Sequence, residues 1–329
     1  MKSGTDSLML FRTPVDIAPP LHRIGVEERN VFLGSCFAAH IGGKFTESRL
    51  HTLVNPLGVI YNPLSLARLL TTHAANAEED FVEHDGLWHT WLGDSSLSRL
   101  SLADCRKATD EALVRLQEAL LGADRLILTL GTSRCYMFEE RTVANCHRVP
   151  QSAFREYEAS VEEMTAALSQ SLDTLWASNA CLQVVLTVSP YRYAKYGYHG
   201  SQLSKARLLL VADELCKRYP DKVSYFPAYE IVLDELRDYR FYAEDMLHPS
   251  AQAVDYIWQR LCDTWMKAET QEYLVRWNKI QSALNHRPLH PDSVAFQQFR
   301  DQLARRIADL KADYPHLRDL DLAIESLED

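Results

Sequence analysis

The feature that most constrains this fold is an alternation of short apolar strands with amphipathic helices along most of the chain. Apolar runs at residues 31–33, 125–130 and 182–188 are each followed, directly or after a loop, by a segment with helical spacing of apolar residues. Such an alternation predicts an α/β fold, with a mostly parallel sheet and helices on both of its faces.

The same pattern divides the chain into a large α/β domain and a helical extension. We predict the α/β domain over residues 1–267, with an insertion at about 64–103 that could cover a site. From residue 268 onward no further sheet strand is evident, and the last stretch, 311–329, is predicted to be a frayed end or a partner-binding helix. The predicted helices cover residues 38–50, 64–72, 104–121, 154–177, 203–219, 251–266, 269–284 and 295–310, and further strands are predicted at 50–54 and 223–226.

Composition and charge exclude several classes of protein. The formal net charge of −10 and the lack of an arginine-rich patch argue against a nucleic-acid binder. No apolar run reaches the roughly 18 residues that a membrane span needs, and the first residues lack the pattern of a signal peptide. Seven scattered cysteines do not resemble a disulfide framework, so a cytoplasmic location is expected.

A serine stands at the turn from the first predicted strand to its helix. Ser35 lies in the pentapeptide Gly34-Ser35-Cys36-Phe37-Ala38, directly after the apolar run 31–33. Ligands of open α/β sheets bind at the carboxyl ends of the strands, and N–H groups at a helix N-terminus can hold a developing oxyanion. Ser35 is therefore a candidate nucleophile, while an ordinary helix N-cap remains the alternative.

About 210 residues after Ser35, a carboxylate and an imidazole lie within one turn of the chain. Asp245 precedes His248 by three residues, just before the predicted helix 251–266. The carboxylate can hold one ring nitrogen and leave the other free to act as a base. The alternative is a capping role, in which Asp245 accepts backbone hydrogen bonds and Ser250 caps the helix. The chain order Ser, Asp, His suits a flavodoxin-like three-layer α/β/α hydrolase.

These motifs and others in the same order resemble the GSCFA-domain family, a branch assigned to the SGNH/GDSL-like hydrolases. The resemblance covers about residues 11–290, and its first and last matching segments contain Ser35 and His248. The other matching segments are residues 55–63, 86–89, 130–133, 145–147, 187–190, 202–206 and 234–242.

The resemblance implies a role for each of the main site residues. Ser35 would attack an ester carbonyl, His248 would be the general base, and Asp245 would orient the imidazole. The N–H groups of Ser35 and Gly58 would hold the oxyanion that forms on the carbonyl oxygen.

The third oxyanion donor is the point where this chain departs from the SGNH pattern. An Asn is expected after the third strand, but this chain has Ser133 there. Either the Ser133 hydroxyl or the Asn145 side chain would have to replace it. Loss of one such donor can cost roughly 100- to 1000-fold in turnover.

Other residues have both a chemical and a structural interpretation. Cys36 is an alternative nucleophile or a small buried side chain, and His147 is a competing base or a partner in a loop hydrogen bond. Arg192 would bind an anionic group of the substrate or pair with a structural carboxylate. No metal site is expected, because the spacing of Cys36, Cys135, Cys146 and His147 does not match a zinc knuckle.

The predicted function is that of a serine esterase or acyl hydrolase without a cofactor. Its substrate would be an O-acyl ester, with acetyl among the candidates, on a small molecule, a carbohydrate or a lipid. One alternative is acyl transfer by the same serine. The other is a non-catalytic binding or scaffold role, with homo-oligomers formed through the C-terminal helices. The aromatic residues that could form a wall for a sugar or acyl group are Trp88, Trp91, Tyr193, Tyr196 and Tyr198.

Overall fold

The computed structural model describes residues 12–76, 79–286, 289–290 and 292–318. Its strands are β1 Asn30–Gly34, β2 Thr52–Val54, β3 Phe81–His84, β4 Leu87–Thr90, β5 Arg125–Leu130, β6 Arg134–Phe138, β7 Arg141–Val143, β8 Arg155–Glu158, β9 Gln183–Val188 and β10 Val223–Tyr225. Its helices are α1 Cys36–Glu47, α2 Pro63–Thr71, α3 Leu102–Leu121, α4 Val161–Ser178, α5 Gly197–Arg218, α6 Ala228–Glu230, α7 Ala251–Trp265, α8 Ala268–Leu284 and α9 Val294–Asp313.

Five parallel strands form the central sheet of the described residues. Their order is β2-β1-β5-β9-β10, and each neighbouring pair is parallel. Numbered among themselves, these strands run 2-1-3-4-5, which is the flavodoxin-like order. The order reverses between β1 and β5, and the predicted fold class is confirmed.

Helices cover both faces of the central sheet, because its strands are apolar on both faces. Leu33 and Leu128 point into one core, which helices α2 to α5 complete. Phe32 and Ile127 point into the other core, which contains side chains of α1 and α7. Sheet and helices thus form the three-layer arrangement that the alternation predicts.

Two small antiparallel sheets interrupt the alternation, and the sequence did not predict either one. The hairpin β3-β4 lies in the irregular part of the predicted insertion, and the sheet β7-β6-β8 follows β5. The predicted helix over 154–177 is wrong at its start, where β8 pairs with β6. The helix α4 begins only at Val161, because the Ser160 hydroxyl caps it by accepting the Glu163 N–H at 3.1 Å.

Helix α2, which the sequence places at the start of an insertion, packs along α4 in the first helical layer. Its N-cap Asn62 accepts the Ser65 N–H at 2.8 Å, and the Ser171 hydroxyl of α4 donates to Ala67 O at 2.8 Å. The helix therefore belongs to the three-layer core.

The C-terminal helices α8 and α9 share the second core with α1 and α7. Tyr273 and Trp277 on α8 are buried beside the end of α1. The Tyr273 hydroxyl donates to Ser48 O at 2.9 Å, and the Trp277 ring N–H donates to Glu47 O at 2.8 Å. Packing and hydrogen bonds thus tie the helical extension to the α/β layers.

Three parts of the predicted C-terminal region lie outside the described residues. These are positions 287–288 and position 291, between the two helices, and positions 319–329 of the terminal stretch. Among the helices that the structure describes, none is both long and apolar enough to cross a membrane.

The shared core predicts that α8 unfolds together with the α/β layers. The Trp277 side chain is 2% exposed, so Trp277→Ala should lower the free energy of unfolding by about 3–5 kcal/mol. Val275→Ala, at a position that is 54% exposed on the same helix, is the control and should change it by less than about 0.5 kcal/mol. Urea denaturation followed by circular dichroism measures both, and a main transition unchanged by Trp277→Ala would contradict the prediction.

Candidate active site

The carboxyl ends of the central strands carry the candidate site, at the point where the strand order reverses. Strand β1 ends at Gly34 and leads into α1, whose first residue is Cys36. Its neighbour β5 ends at Leu130 and is followed by Gly131. Ligands of open α/β sheets bind at such a switch point. The predicted nucleophile Ser35 therefore lies where this fold places its ligands.

A carboxylate–imidazole pair lies in the loop before α7. The Asp245 Oδ2 atom and the His248 Nδ1 atom are 2.5 Å apart. The other carboxylate oxygen of Asp245 accepts the N–H groups of Leu247 and His248 at 2.9 and 3.0 Å. Asp245 therefore orients the imidazole and also shapes the turn, so it makes the hydrogen bonds of both interpretations.

The charge state of Asp245 decides which ring nitrogen of His248 is free. Hydrogen bonds from the His248 side chain and from the N–H groups of His248 and Leu247 lower the pKa of Asp245 to about 2. The carboxylate is ionised at neutral pH and can only accept, so Nδ1 carries the hydrogen. Nε2 then keeps its lone pair and can take a proton from a nucleophile.

Arg192 holds the loop that carries this pair. Its backbone N–H donates to Leu247 O at 3.1 Å, and its guanidinium donates to Met246 O at 3.0 Å. The ring of Tyr191 lies against the His248 ring, with centroids 4.4 Å apart. The segment after β9 thus fixes the position of the imidazole, which is a different role for Arg192 from either interpretation drawn from the sequence.

Arg192 also belongs to an aromatic cavity of about 260 Å³ beside the His248 loop. Its guanidinium lies 4.5 Å from the ring centroid of Tyr198 and 5.2 Å from that of Tyr242. The predicted aromatic wall is not formed as one surface: Tyr193 and Tyr196 stack on each other, while Trp91 packs on Phe138. The cavity is nevertheless lined by tyrosines, as a site for a ring-bearing group would be.

Ser35 is fully buried and caps α1. Its Oγ accepts the Phe37 N–H at 3.3 Å, and its own N–H donates to Thr129 O at 3.2 Å. No hydrogen bond joins Ser35 to His248 in the described part of the chain. The N-cap interpretation thus has direct support in the hydrogen bonds.

The other residues predicted to supply the oxyanion hole form hydrogen bonds elsewhere. The Gly58 N–H donates to Asn55 O at 2.8 Å. The Ser133 hydroxyl lies 3.2 Å from Ser204 Oγ on α5. The carboxamide oxygen of Asn145 accepts the N–H of the nearby His147 at 2.8 Å. In the structure, each of these residues thus has a hydrogen bond to a residue outside the Asp245–His248 pair.

His147 is a buried residue under the hairpin β3-β4. Its Nε2 atom lies 2.7 Å from Thr90 O, and its ring stacks on His89 with centroids 4.6 Å apart. Burial, offset in part by the hydrogen bond to Thr90, lowers the pKa of His147 to about 4. These contacts assign His147 to the packing of the hairpin.

Lys205 on α5 lies in the matching segment 202–206, and no site role was predicted for it from the sequence. It is 1% exposed, and its Nζ donates to Gly131 O at 2.7 Å and to Ser189 O at 2.6 Å. No carboxylate pairs with it among the described residues, and burial lowers the pKa of Lys205 to about 7. A buried cation without a carboxylate, at the ends of β5 and β9, is typical of a functional site.

Metal-ligating side chains meet elsewhere in the molecule. Among the described residues, one group of three could hold a metal ion, namely Glu27, His51 and His316, whose ligand atoms lie within 4.8 Å of one another. Glu27 and His51 precede β1 and β2, so this group lies at the amino ends of the strands. The cysteines considered for zinc are not part of it.

These features define a three-layer α/β protein with an Asp–His pair at the switch point of a flavodoxin-like sheet. The chain belongs to the GSCFA family, because the sequence profile of that family matches residues 29–261. The profile of the GSCFA domain protein, C-terminal domain, matches residues 277–329. Comparison with curated proteins and with solved structures finds no match.

The burial of Lys205 predicts a pH-dependent contribution to stability. Its pKa is near 7 in the folded protein and about 10.5 when exposed, so between these values the unfolded chain binds more protons at this residue. The free energy of unfolding of the wild type, minus that of Lys205→Met, should therefore rise with pH across this window. The expected slope is at most about 1.4 kcal/mol per pH unit.

Urea denaturation of both proteins at about pH 7 and about pH 9 measures this difference. Lys217→Met, at an exposed lysine on the same helix, is the control and should show no such rise. A difference that stays constant or falls with pH would contradict the burial of Lys205 as an uncompensated cation.

Proposed function

We propose that the protein is an acyl-transfer enzyme, of the ester hydrolase kind that the SGNH resemblance implies. A nucleophile at the first turn of α1, for which the sequence predicts Ser35, attacks the acyl carbonyl. His248 takes the proton of the nucleophile through Nε2, and Asp245 holds the ring. The observation that carries this proposal is the 2.5 Å contact between Asp245 and His248 at the switch point of the sheet.

Two properties of the pair support a role as general base. Asp245 is ionised at neutral pH, so it favours the Nδ1–H tautomer and stabilises the imidazolium that forms during attack. His248 is half-buried and not enclosed, so a substrate can reach its free nitrogen. Proton transfer to a positioned side chain of this kind contributes roughly 100- to 10,000-fold to a rate.

The cavity beside the His248 loop supports a substrate with a polar, ring-bearing alcohol part. Tyr198, Tyr239 and Tyr242 line it together with Arg192, and Gln202 adds an amide group. Tyrosine faces stack on rings, and the amide can hydrogen-bond to hydroxyl groups. An acylated carbohydrate therefore fits this cavity better than a lipid with a long alkyl chain, and hydrolysis of its O-acyl group is the activity we propose.

The proposal predicts a strong dependence of turnover on His248. His248→Ala should lower kcat for acetyl esters, including acetylated sugars, by roughly 100- to 10,000-fold, because no base then takes the proton of the nucleophile. His73→Ala, at an exposed histidine after α2, is the matched control and should keep wild-type turnover. The measurement is initial rates over a panel of acetyl and longer acyl esters.

Two results would contradict the proposed activity. One is a His248→Ala variant with wild-type turnover on every ester that the wild type hydrolyses. The other is a folded wild-type protein that hydrolyses no ester of the panel and forms no adduct with a fluorophosphonate or with an activated ester.

A further inference from the structure

We propose that the attacking atom is the thiol sulfur of Cys36 and not the hydroxyl oxygen of Ser35. This inference rests on the proposed function and names the nucleophile of the same site. It follows from the hydrogen bonds at the first turn of α1, from the exposure of the two side chains and from the polar groups around Cys36.

The hydrogen bonds of the first turn use the Ser35 hydroxyl as a helix cap, while the Cys36 thiol faces the N–H groups of Phe37 and of Cys36 itself. The Ser35 N–H donates to Thr129 O, and the Ser35 Oγ accepts the Phe37 N–H. The Ala38 N–H donates to Ser35 O at 2.8 Å. Among the described residues, the Cys36 N–H has no oxygen acceptor, and it points toward the sulfur of its own side chain. An N–H beside the nucleophile is the group that an oxyanion hole needs.

The two side chains also differ in access. Ser35 is 0% exposed, whereas Cys36 reaches the surface in part. A nucleophile must meet a carbonyl carbon that arrives from solvent, and Cys36 is the residue of the pair that can do so. Ser35 then has a structural role, in which its hydroxyl caps the helix that presents the thiol.

Two donors without partners lie around the start of α1. The Tyr193 hydroxyl is buried and unpartnered among the described residues, and it lies 3.0 Å from the place that a β-carbon on Gly131 would occupy. The Asn55 carboxamide nitrogen is also buried without a partner, while its oxygen accepts the Gly34 N–H at 2.9 Å. Unpaired buried donors are costly, and an acyl oxygen bound here would pair with them.

The Tyr193 hydroxyl stays protonated and remains a donor. Burial, followed by the charges of Tyr61 and Cys36, raises the pKa of Tyr193 well above its ordinary value. The Lys205 ammonium lies 5.1 Å from the centroid of the Tyr193 ring. The Lys205 charge therefore favours negative charge on the Cys36 sulfur, and the Tyr193 hydroxyl stays a donor beside this charge.

The thiol of Cys36 is neutral at rest, so attack needs a base. Burial raises the pKa of Cys36, the N–H of Phe37 and the charge of Lys205 lower it, and the charge of Asp245 raises it. The thiolate in turn raises the pKa of Lys205. Transfer of the thiol proton to His248 thus stabilises the charged form of Lys205, and the charged Lys205 in turn stabilises the thiolate of Cys36.

The reaction proceeds through a thioester. The Cys36 sulfur bonds to the acyl carbon while its proton passes to Nε2 of His248. The carbon–oxygen bond to the alcohol then breaks, and the alcohol takes this proton from His248. Water attacks the thioester, His248 takes a proton from the water and returns it to the leaving sulfur, and the carboxylic acid departs.

The test is to locate the acyl group after reaction with p-nitrophenyl acetate. The reaction of the wild-type protein is quenched in acid, and its peptides are mapped by mass spectrometry. A second sample is treated with neutral hydroxylamine, because hydroxylamine cleaves thioesters much faster than oxygen esters. We expect one acetyl group on Cys36 that hydroxylamine removes. The matched variants are Cys36→Ala, Cys181→Ala at an exposed cysteine, Ser35→Ala and Ser35→Gly.

Cys36→Ala should abolish the adduct and lower turnover at least about 100-fold. Cys181→Ala should behave as wild type. Ser35→Gly, which an N-cap tolerates, should still form the adduct on Cys36 even if Ser35→Ala does not fold.

Failure of the inference can be told from failure of the proposed function. An adduct on Ser35 that resists hydroxylamine and persists in Cys36→Ala would overturn the thiol nucleophile, while hydrolysis by the Asp245–His248 pair would stand. A folded wild-type protein that acylates at neither residue and hydrolyses no acetyl or longer acyl ester would overturn both.

Discussion

The close approach of β1 to β5 at Gly34 is the contact on which the site depends. Gly34 has a φ of +136°, and a β-carbon there would lie 2.2 Å from Thr129 O. The same oxygen accepts the Ser35 N–H, so the chain turns into α1 directly over the end of β5. This turn sets the start of α1 over the end of β5, where the strand order of the described central sheet reverses. A larger residue at position 34 would move the helix and the site together.

Polar groups then collect at this edge because the parallel strands end there. The ends of β5 and β9 offer the carbonyl oxygens of Gly131 and Ser189, which accept from Lys205, and the segment after β9 holds the loop of His248 through Arg192. The chain thereby brings a base, a buried cation and unpaired donors to one helix N-terminus. The buried cation and the unpaired donors cost stability when no ligand is bound. Their convergence with the base is what a preorganised site for a developing oxyanion requires.

The sequence predicted the parts that local pattern determines and missed those that depend on contacts distant in the chain. The strand at 125–130 and the helices α3 and α7 follow from apolar spacing and capping, and the family resemblance follows from ordered motifs. Strand β8 was taken for helix, because only its pairing with β6 makes it a strand. No site role was predicted for Lys205, which lies in the matching segment 202–206 and in the predicted helix 203–219, since its burial depends on the ends of β5 and β9. The choice between Ser35 and Cys36 requires the backbone hydrogen bonds of the turn.

The most direct measurement is a crystal structure of the protein with a short aldehyde, which forms a reversible tetrahedral adduct with a nucleophile and mimics the tetrahedral intermediate of acyl transfer. Our account predicts a bond from the aldehyde carbon to Cys36, with the adduct oxygen accepting the Cys36 N–H and the Tyr193 hydroxyl, and with His248 Nε2 within hydrogen-bond distance of the adduct. An adduct on Ser35 would contradict the assignment of the nucleophile. Density for an adduct at neither residue would contradict acyl transfer at this site.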